Sequence, residues 1–284
     1  MSATRGATAY YLPKPSHWPI TAGCALLLTT GGAAAWMNRA EAAPYVFAAG
    51  LAILLYVLFG WFGSVIRESE GGLYNQQVDV SFRWSFGWFI LSETMLFGAF
   101  FAALCYLRWH AVPELASGDT AQLWPGFQAQ WPATGPAIGG TLKRMDAFGI
   151  PFINTVILLS SAAVLTWAHH GLMKEARGQF KIGLALTIVL GLLFLGLQFG
   201  EYYRAYTALG LTLASGAYGA TFFLLTGFHG LHVAVGATML CVMFSRALRG
   251  DFTPKDQFAF QAAAWYWHFV DVIWLLVFVL VYWL

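Results

Sequence analysis

Long apolar runs, separated by short clusters of charged residues, glycine and proline, dominate this chain. A helix needs about 20 apolar residues to cross the hydrocarbon core of a bilayer. Seven runs reach roughly that length, with a short fourth run and a long, glycine-rich sixth run. The pattern predicts an all-α integral membrane protein with one membrane domain over residues 1–284. We predict transmembrane helices at Trp18–Met37, Pro44–Ile66, Phe82–Leu107, Pro151–Ala168, Ile182–Tyr203, Ala217–Phe244 and Phe260–Leu284.

Composition supports the same class. Of the 284 residues, 59% are hydrophobic and 10% are charged, which excludes an ordinary soluble domain. The net charge of +2 is too small to indicate a nucleic-acid partner. The three cysteines, Cys24, Cys105 and Cys241, lie in apolar runs without CxxC spacing, so we expect them to pack rather than to bind metal. The residues before the first run show no removable signal peptide.

The positive charges predict an orientation, because Lys and Arg are more frequent in cytoplasmic loops. The N-terminal side carries ten such residues and the opposite side five. We therefore expect a cytoplasmic N-terminus and a C-terminus on the other side, where Tyr282 and Trp283 are interpreted as interfacial aromatics. The ten are Arg5, Lys14, Arg67, Arg83, Lys174, Arg177, Lys181, Arg246, Arg249 and Lys255, and the five are Arg39, Arg108, Lys143, Arg144 and Arg204.

Two connections separate the runs into groups. Residues 108–149 form the one long loop, non-cytoplasmic in this orientation, and its Gly and Pro content predicts an ordered, irregular cap. The polar segment 67–80 separates helices 1 and 2, within residues 18–66, from helices 3 to 7, within residues 82–284. A two-plus-five arrangement follows, with lipid or another protein between the two groups.

Ionisable residues inside the apolar runs are the first candidates for function, because a charge in hydrocarbon is costly. Glu93 lies about eleven residues into the third run. In the sixth run His229 and His232 share one helical face, and in the seventh His268 and Asp271 have the same spacing. Glu93, His232 and Asp271 all lie about 16 Å deep at 1.5 Å per residue. They are predicted to meet in one buried polar cluster.

Several interpretations of this cluster remain open. The side chains could hold helices together through hydrogen bonds and charge pairs. They could modulate proton movement, since a buried carboxyl beside a histidine can titrate near physiological pH. Haem or copper ligation and an ion site are further alternatives.

Two histidines end the fourth run. His169 and His170 lie beside Lys174, Arg177 and Lys181. They could cap the helix and contact phosphate, or they could form a proton-collecting surface, because imidazole exchanges protons near neutral pH.

Arginines also mark the cytoplasmic helix ends. Arg67 with Glu68 ends the second run, and Arg246 with Arg249 ends the sixth. Arg67 and Glu68 could form a local ion pair. Because guanidinium pairs well with phosphate, the favoured interpretation of all four is a phospholipid site.

Six segments of the chain carry a family resemblance. In order along the chain they are VIRES, SETMLFGAFF, PFINTVILLSSAAVLTWAHH, QFGEYY, YGATFFLLTGFHGLHV and AAAWYWHFVDVIWLLVFVLVYWL. Together they resemble cytochrome c oxidase subunit III, of the A-type haem-copper oxidases. The resemblance covers nearly the whole chain. It implies two N-terminal helices splayed from a five-helix bundle around a lipid cleft. The N-terminal lead and the long loop are similar to those of a bacterial member, which implies the bacterial inner membrane.

The resemblance also implies a non-catalytic role in a complex that reduces dioxygen to water and pumps protons. Haem and copper would lie in partner subunits, with subunits I and II as neighbours and no metal in this chain. Glu93 matches the buried carboxylate that reacts with carbodiimide in the family. Arg67, Glu68 and Arg246 match positions associated with phospholipid.

Two alternatives to this function remain. An independent proton or ion transporter could use Glu93 and Asp271, although the chain lacks evident inverted repeats or interrupted helices. A quinol oxidase could contain a similar subunit III. Because the resemblance implies that such relatives typically lack the first two helices, the span from Trp18 to Ile66 favours cytochrome c as the electron donor.

Overall fold

Long helices make up the computed structural model, which describes residues 11, 13–136, 138, 142–254 and 257–284. Within these residues, seven helices are long and apolar enough to cross a membrane, and we call them the first to seventh spans. The predicted all-α, seven-span class is confirmed. The spans are Trp18–Met37, Ala43–Glu70, Gln76–Leu115, Ile150–Met173, Arg177–Ala208, Gly216–Arg249 and Phe258–Trp283.

The helix ends differ from the predicted ones mainly at polar residues. The first span begins and ends as predicted, whereas the fourth has 24 residues and is not short. The third continues past Leu107 through a π-helical segment, Leu107–Ala111, and a helical turn, Val112–Leu115. Several helices therefore extend beyond the apolar runs that predicted them, because backbone hydrogen bonding continues through the polar residues at their ends.

The chain divides into two compact units, Met1–Phe82 and Arg83–Leu284. In the first unit, glycine lets the first two spans approach closely. A Cβ on Gly32 would lie 2.6 Å from the backbone nitrogen of Phe47, and one on Gly50 would lie 2.5 Å from that of Thr29. Small residues at such contacts let helix backbones pack directly in a membrane.

Trp267 of the seventh span is fully buried at the centre of several helix contacts in the second unit. A Cβ on Gly191 of the fifth span would lie 2.5 Å from its ring, and one on Gly236 of the sixth would lie 2.9 Å away. Its indole N–H donates a 2.9 Å hydrogen bond to the Ser161 hydroxyl of the fourth span. One side chain therefore contacts three neighbouring spans.

Part of the long loop packs on the start of the sixth span. Tyr218 donates its backbone N–H to the carbonyl of Ala133 at 3.1 Å, and its ring contacts Trp131 edge to face. A helical turn, Thr120–Leu123, lies earlier in the loop.

Cys24 and Cys241 are exposed on the surface of the chain and Cys105 is half-buried. An apolar run in a membrane helix has lipid-facing positions as well as interior ones, and the packing role of the three cysteines stays a prediction. Two residues counted for the orientation, Arg5 and Lys255, lie outside the described residues, and the orientation stays a prediction.

Candidate functional site

Glu93 of the third span and His232 of the sixth span are in direct contact. His232 Nε2 lies 2.9 Å from Glu93 Oε2, and His232 Nδ1 lies 2.7 Å from the carbonyl oxygen of Phe228. The His232 side chain is 10% exposed and the Glu93 side chain is 19% exposed. The pair therefore lies between the helices, and part of the Glu93 side chain reaches the surface of the chain.

This geometry fixes the number of protons in the pair. A carbonyl oxygen only accepts hydrogen bonds, so His232 Nδ1 carries a hydrogen. The contact between Nε2 and Oε2 then needs one more proton, on either the imidazole or the carboxyl group. In both forms the net charge of the pair is zero, which suits a membrane interior.

Aromatic rings surround the imidazole of His232. The Tyr266 ring stacks on it at a centroid distance of 6.2 Å, and the Phe97 ring meets it edge to face at 5.0 Å. These apolar faces limit the approach of water, so the shared proton has its protein partners as its nearest acceptors.

His229, one turn away from His232, is fully buried, and neither of its ring nitrogens has a hydrogen-bond partner among the described residues. The rings of Phe194 and Trp274 lie 5.7 and 5.1 Å from it. His229 therefore shares a helical face with His232 but lies in an aromatic pocket.

Asp271 is not joined to the Glu93–His232 pair by a hydrogen bond or ion pair in the described part of the chain. Its Oδ2 lies 3.7 Å from Nδ1 of His268, and neither of its oxygens has a hydrogen-bond partner there. Tyr266, which does contact the pair, lies five residues earlier, a rotation of roughly 140° around the helix. Equal depth in the membrane did not therefore bring Asp271 to the same face.

A second buried carboxyl group, Glu201, was not among the predicted site residues. It is 1% exposed, and its Oε2 accepts hydrogen bonds from Gln198 Nε2 at 3.0 Å and the Tyr282 hydroxyl at 2.9 Å. Asn154 Nδ2 donates to Gln198 Oε1 at 3.3 Å. This network, which we call the Glu201 cluster, joins the fourth, fifth and seventh spans.

The sequence did contain a signal for this cluster. Gln198 and Glu201 are three residues apart, which places them on one helical face, and Asn154 interrupts an apolar run. Tyr282 was interpreted as an interfacial aromatic, which is wrong, because it is 1% exposed and bonded inside the bundle. Trp283, its neighbour, is exposed.

His169 and His170 lie in different surroundings. Half-buried His169 has Nε2 3.1 Å from Oε1 of Gln257, and its ring meets Phe260 edge to face. His170 is exposed, and its Nδ1 donates to the carbonyl of Thr166 at 2.8 Å. His170 is therefore the more accessible of the two imidazoles.

Arg67 and Glu68 have separate partners. Exposed Arg67 donates to the Ser64 hydroxyl at 3.0 Å, while Glu68 accepts a 2.8 Å hydrogen bond from the hydroxyl of Tyr74. Burial and this contact with Glu68 raise the pKa of Tyr74 above its ordinary value. Within the described residues Arg67 makes no ion pair, so its guanidinium is available to an outside anion.

The two arginines at the end of the sixth span differ in burial. Arg246 is buried, with Nε 3.6 Å from Oδ2 of Asp251 and its guanidinium 4.8 Å from the centre of the Phe252 ring. Arg249 is exposed. Gly250, which follows with a φ of 87°, ends this helix in the left-handed conformation.

A metal site is not evident in the described part of the chain, where no group of three or more His, Cys, Asp or Glu side chains could hold an ion.

Chain-wide comparison identifies the family. The family model described as cytochrome c oxidase subunit III matches residues 8–284. The chain belongs to the cytochrome c oxidase subunit III family. As a family member it is a subunit of the oxidase complex and a multi-pass protein of a respiratory membrane.

Individual relatives match over the same length. The cytochrome c oxidase subunit 3 proteins of Latimeria chalumnae and Cyprinus carpio are each 41% identical over 278 residues, covering 98% of this chain and 97% of the relative. That of Gadus morhua is 40% identical over 281 residues, covering 99% and 98%. The resemblance drawn from the sequence motifs is thereby confirmed.

Proposed function

We propose that this subunit III holds phospholipid against the catalytic subunits and sustains proton uptake, while subunits I and II carry haem and copper and perform the redox chemistry. The full-length family match supports the setting, and the Glu93–His232 pair supports a role with protons. The proposed complex reduces dioxygen to water and pumps protons. Membership in this family favours that function over an independent transporter or a quinol oxidase subunit.

Phospholipid contacts are proposed at two separate helix ends, one with Arg67 and Glu68 and the other with Arg246 and Arg249. Arg67 and Arg249 are the exposed guanidiniums of the set, and either can grip a phosphate at a helix end. Glu68 accepts the hydrogen bond of the Tyr74 hydroxyl, and Arg246 contacts Asp251 just beyond the end of the sixth span.

We expect Arg67→Ala and Arg249→Ala to reduce the anionic phospholipid that copurifies with the complex. Each change removes a guanidinium from an exposed position, so a bound phosphate loses its charge-assisted hydrogen bonds. Lipid extraction and mass spectrometry of the purified complex measure the effect. Lys14→Ala, an exposed cation before the first span, serves as the control. Unchanged lipid content in both arginine variants would contradict the assignment.

Proton uptake is proposed to run beside the Glu93–His232 pair, with His170 and the half-buried His169 as the proton-collecting surface. His268, Asp271 and His229 are the further ionisable groups that we include in this proposal. The setting is proposed as the bacterial inner membrane, with a cytoplasmic N-terminus and a periplasmic C-terminus. The excess of Lys and Arg on the N-terminal side supports this orientation.

We expect a complex stripped of this chain to begin turnover at a normal rate and then lose activity faster than the intact complex. The reason is that the proposed redox centres remain while proton supply and lipid packing weaken. Oxygen consumption followed over successive turnovers, with a haem spectrum of each sample, makes the measurement. A complete initial loss of activity in an assembled, haem-loaded complex would contradict a supporting role.

A further inference from the structure

The Glu201 cluster contains two buried acceptor atoms that lack a donor. Oε1 of Glu201 and Oδ1 of Asn154 make no hydrogen bond with any described residue. Both residues are nearly or fully inaccessible, at 1% and 0% exposure. Buried polar atoms in native proteins nearly always have a partner, which is a protein group or an ordered water.

The hydrogen-bond directions show where a proton is missing. The Gln198 amide accepts from Asn154 through Oε1, so its Nε2 is a donor, and it points to Glu201 Oε2. The Tyr282 hydroxyl also donates to Oε2. One carboxyl oxygen therefore receives two donors, as a carbonyl oxygen can, while the other is left for a hydroxyl hydrogen.

An ionised Glu201 would lack an ion-pair partner in these surroundings. In the described part of the chain no cation lies within 4.0 Å of the carboxyl group, and Arg204, whose charge acts on it from a greater distance, is exposed. Tyr202, Tyr218 and Tyr282, which lie around it, are neutral in their ordinary state. Leaving a carboxylate without a cation inside a bundle of membrane spans is costly.

A partner subunit cannot supply that charge by direct contact. Glu201 is 1% exposed and its hydrogen-bond partners, Gln198 and Tyr282, belong to this chain, whereas Glu93 keeps 19% of its side chain exposed. The charge of the Glu201 carboxyl group must therefore be neutralised within the Glu201 cluster itself.

We propose that Glu201 is a protonated carboxylic acid that carries its hydrogen on Oε1, and that Oε1–H and Asn154 Oδ1 together hold one internal water molecule. The acid donates to the water, and the water donates to the amide oxygen. This arrangement gives both orphan oxygens a partner and leaves the cluster uncharged, and internal waters commonly bind where buried polar groups lack partners. The site takes a proton and a water and needs no metal.

Infrared spectroscopy of the purified complex tests the protonation. Subtracting the spectrum of the Glu201→Gln complex from that of the unchanged complex should reveal the C=O stretching band of one protonated carboxyl group. The band should shift to lower frequency in D2O. Carboxylate stretching bands in place of that band would overturn the proposal. The Glu93→Gln complex is the matched control, because it removes a partly exposed carboxyl group in another span and should leave the Glu201 band in place.

A second variant covers the case in which Glu201→Gln does not assemble. Tyr282→Phe keeps Glu201 and removes one donor from its carbonyl oxygen. The C=O band should then move to higher frequency, because that oxygen loses a hydrogen bond. An unchanged carboxylic-acid region in the Tyr282→Phe complex would overturn the proposed bonding.

The water has its own test. A density map of the complex, at a resolution that shows ordered waters, should contain one water within hydrogen-bond distance of Glu201 Oε1 and Asn154 Oδ1. Continuous side-chain packing without that density would overturn the water component. Asn154→Leu should remove the water while the infrared band of Glu201 stays, shifted by the loss of its acceptor.

Discussion

At the scale of residues, the carbonyl of Phe228 decides how His232 meets Glu93. A hydrogen bond inside the sixth span fixes a hydrogen on Nδ1, so Nε2 faces the carboxyl group with one proton to share. The pair can thus pass that proton between its members without changing its net charge. Loss of the shared proton from the pair would leave a negative charge beside the rings of Phe97 and Tyr266, which is unfavourable.

We expect Glu93→Gln to assemble normally and to retain most turnover and pumping. A glutamine amide can donate to Nε2 of a neutral His232, so the bond and the zero charge both survive. Glu93→Leu is the contrasting variant, because it leaves Nε2 buried without a partner and should cost about 1–3 kcal/mol of stability. Pumped protons per electron provide the measurement. A ratio near zero in a fully assembled Glu93→Gln complex would show that Glu93 is an obligatory relay.

The sequence predicted some of these contacts and missed others for physical reasons. Depth along the spans brought Glu93 and His232 to the same level, and the structure shows them in contact. Depth alone does not give the rotation of each helix, and the rotation separates Asp271 from them. The Glu201 cluster was missed because Tyr282 lies close to the chain end, where an aromatic residue resembles an interfacial anchor.

At the scale of elements, spans of the second unit pack closely around Trp267 because small residues face its ring. Gly191 and Gly236 leave room for the indole ring, and Ser161 bonds its N–H. Apolar runs predicted the helices, since length and hydropathy are local properties. They did not predict this packing, because a glycine in a membrane helix is equally compatible with a lipid-facing position.

We expect Gly191→Ala to destabilise the subunit by about 1–3 kcal/mol, the usual range for overpacking a tight core. The new methyl group would lie 2.5 Å from the ring of Trp267, which is fully buried and cannot move freely. Thermal unfolding of the purified complex and its assembly yield measure the effect. Gly196→Ala in the same span is the control, because a Cβ there meets no atom within 4 Å. Equal stability of the two variants would contradict the packing argument.

At the scale of the whole molecule, the chain places its ionisable groups in separate pockets rather than around one centre. Glu93 with His232, Asp271 with His268, and Glu201 with Gln198 each form a local set. His229 lies among aromatic rings. Such separate sets agree with the proposal that the redox chemistry is carried out by other subunits of the complex.

We expect the isolated chain to bind no haem or copper. Haem ligation needs an axial side chain with space for the macrocycle, and the histidines of the sixth span are packed against Phe97, Tyr266, Phe194 and Trp274. An absorbance spectrum and a metal analysis of the purified single chain make the test. A stoichiometric haem band would contradict this expectation.

The short link between Glu93 and His232 also determines how that pair responds to the membrane potential. Moving one elementary charge across the whole bilayer at 100 mV involves about 2.3 kcal/mol. Transfer of the shared proton between two atoms 2.9 Å apart displaces charge by roughly 1 Å of a hydrocarbon core about 30 Å thick, so its share is below about 0.1 kcal/mol. The proton's position in the pair is therefore set by local chemistry, and it should stay the same whether the respiratory membrane is energised or fully discharged.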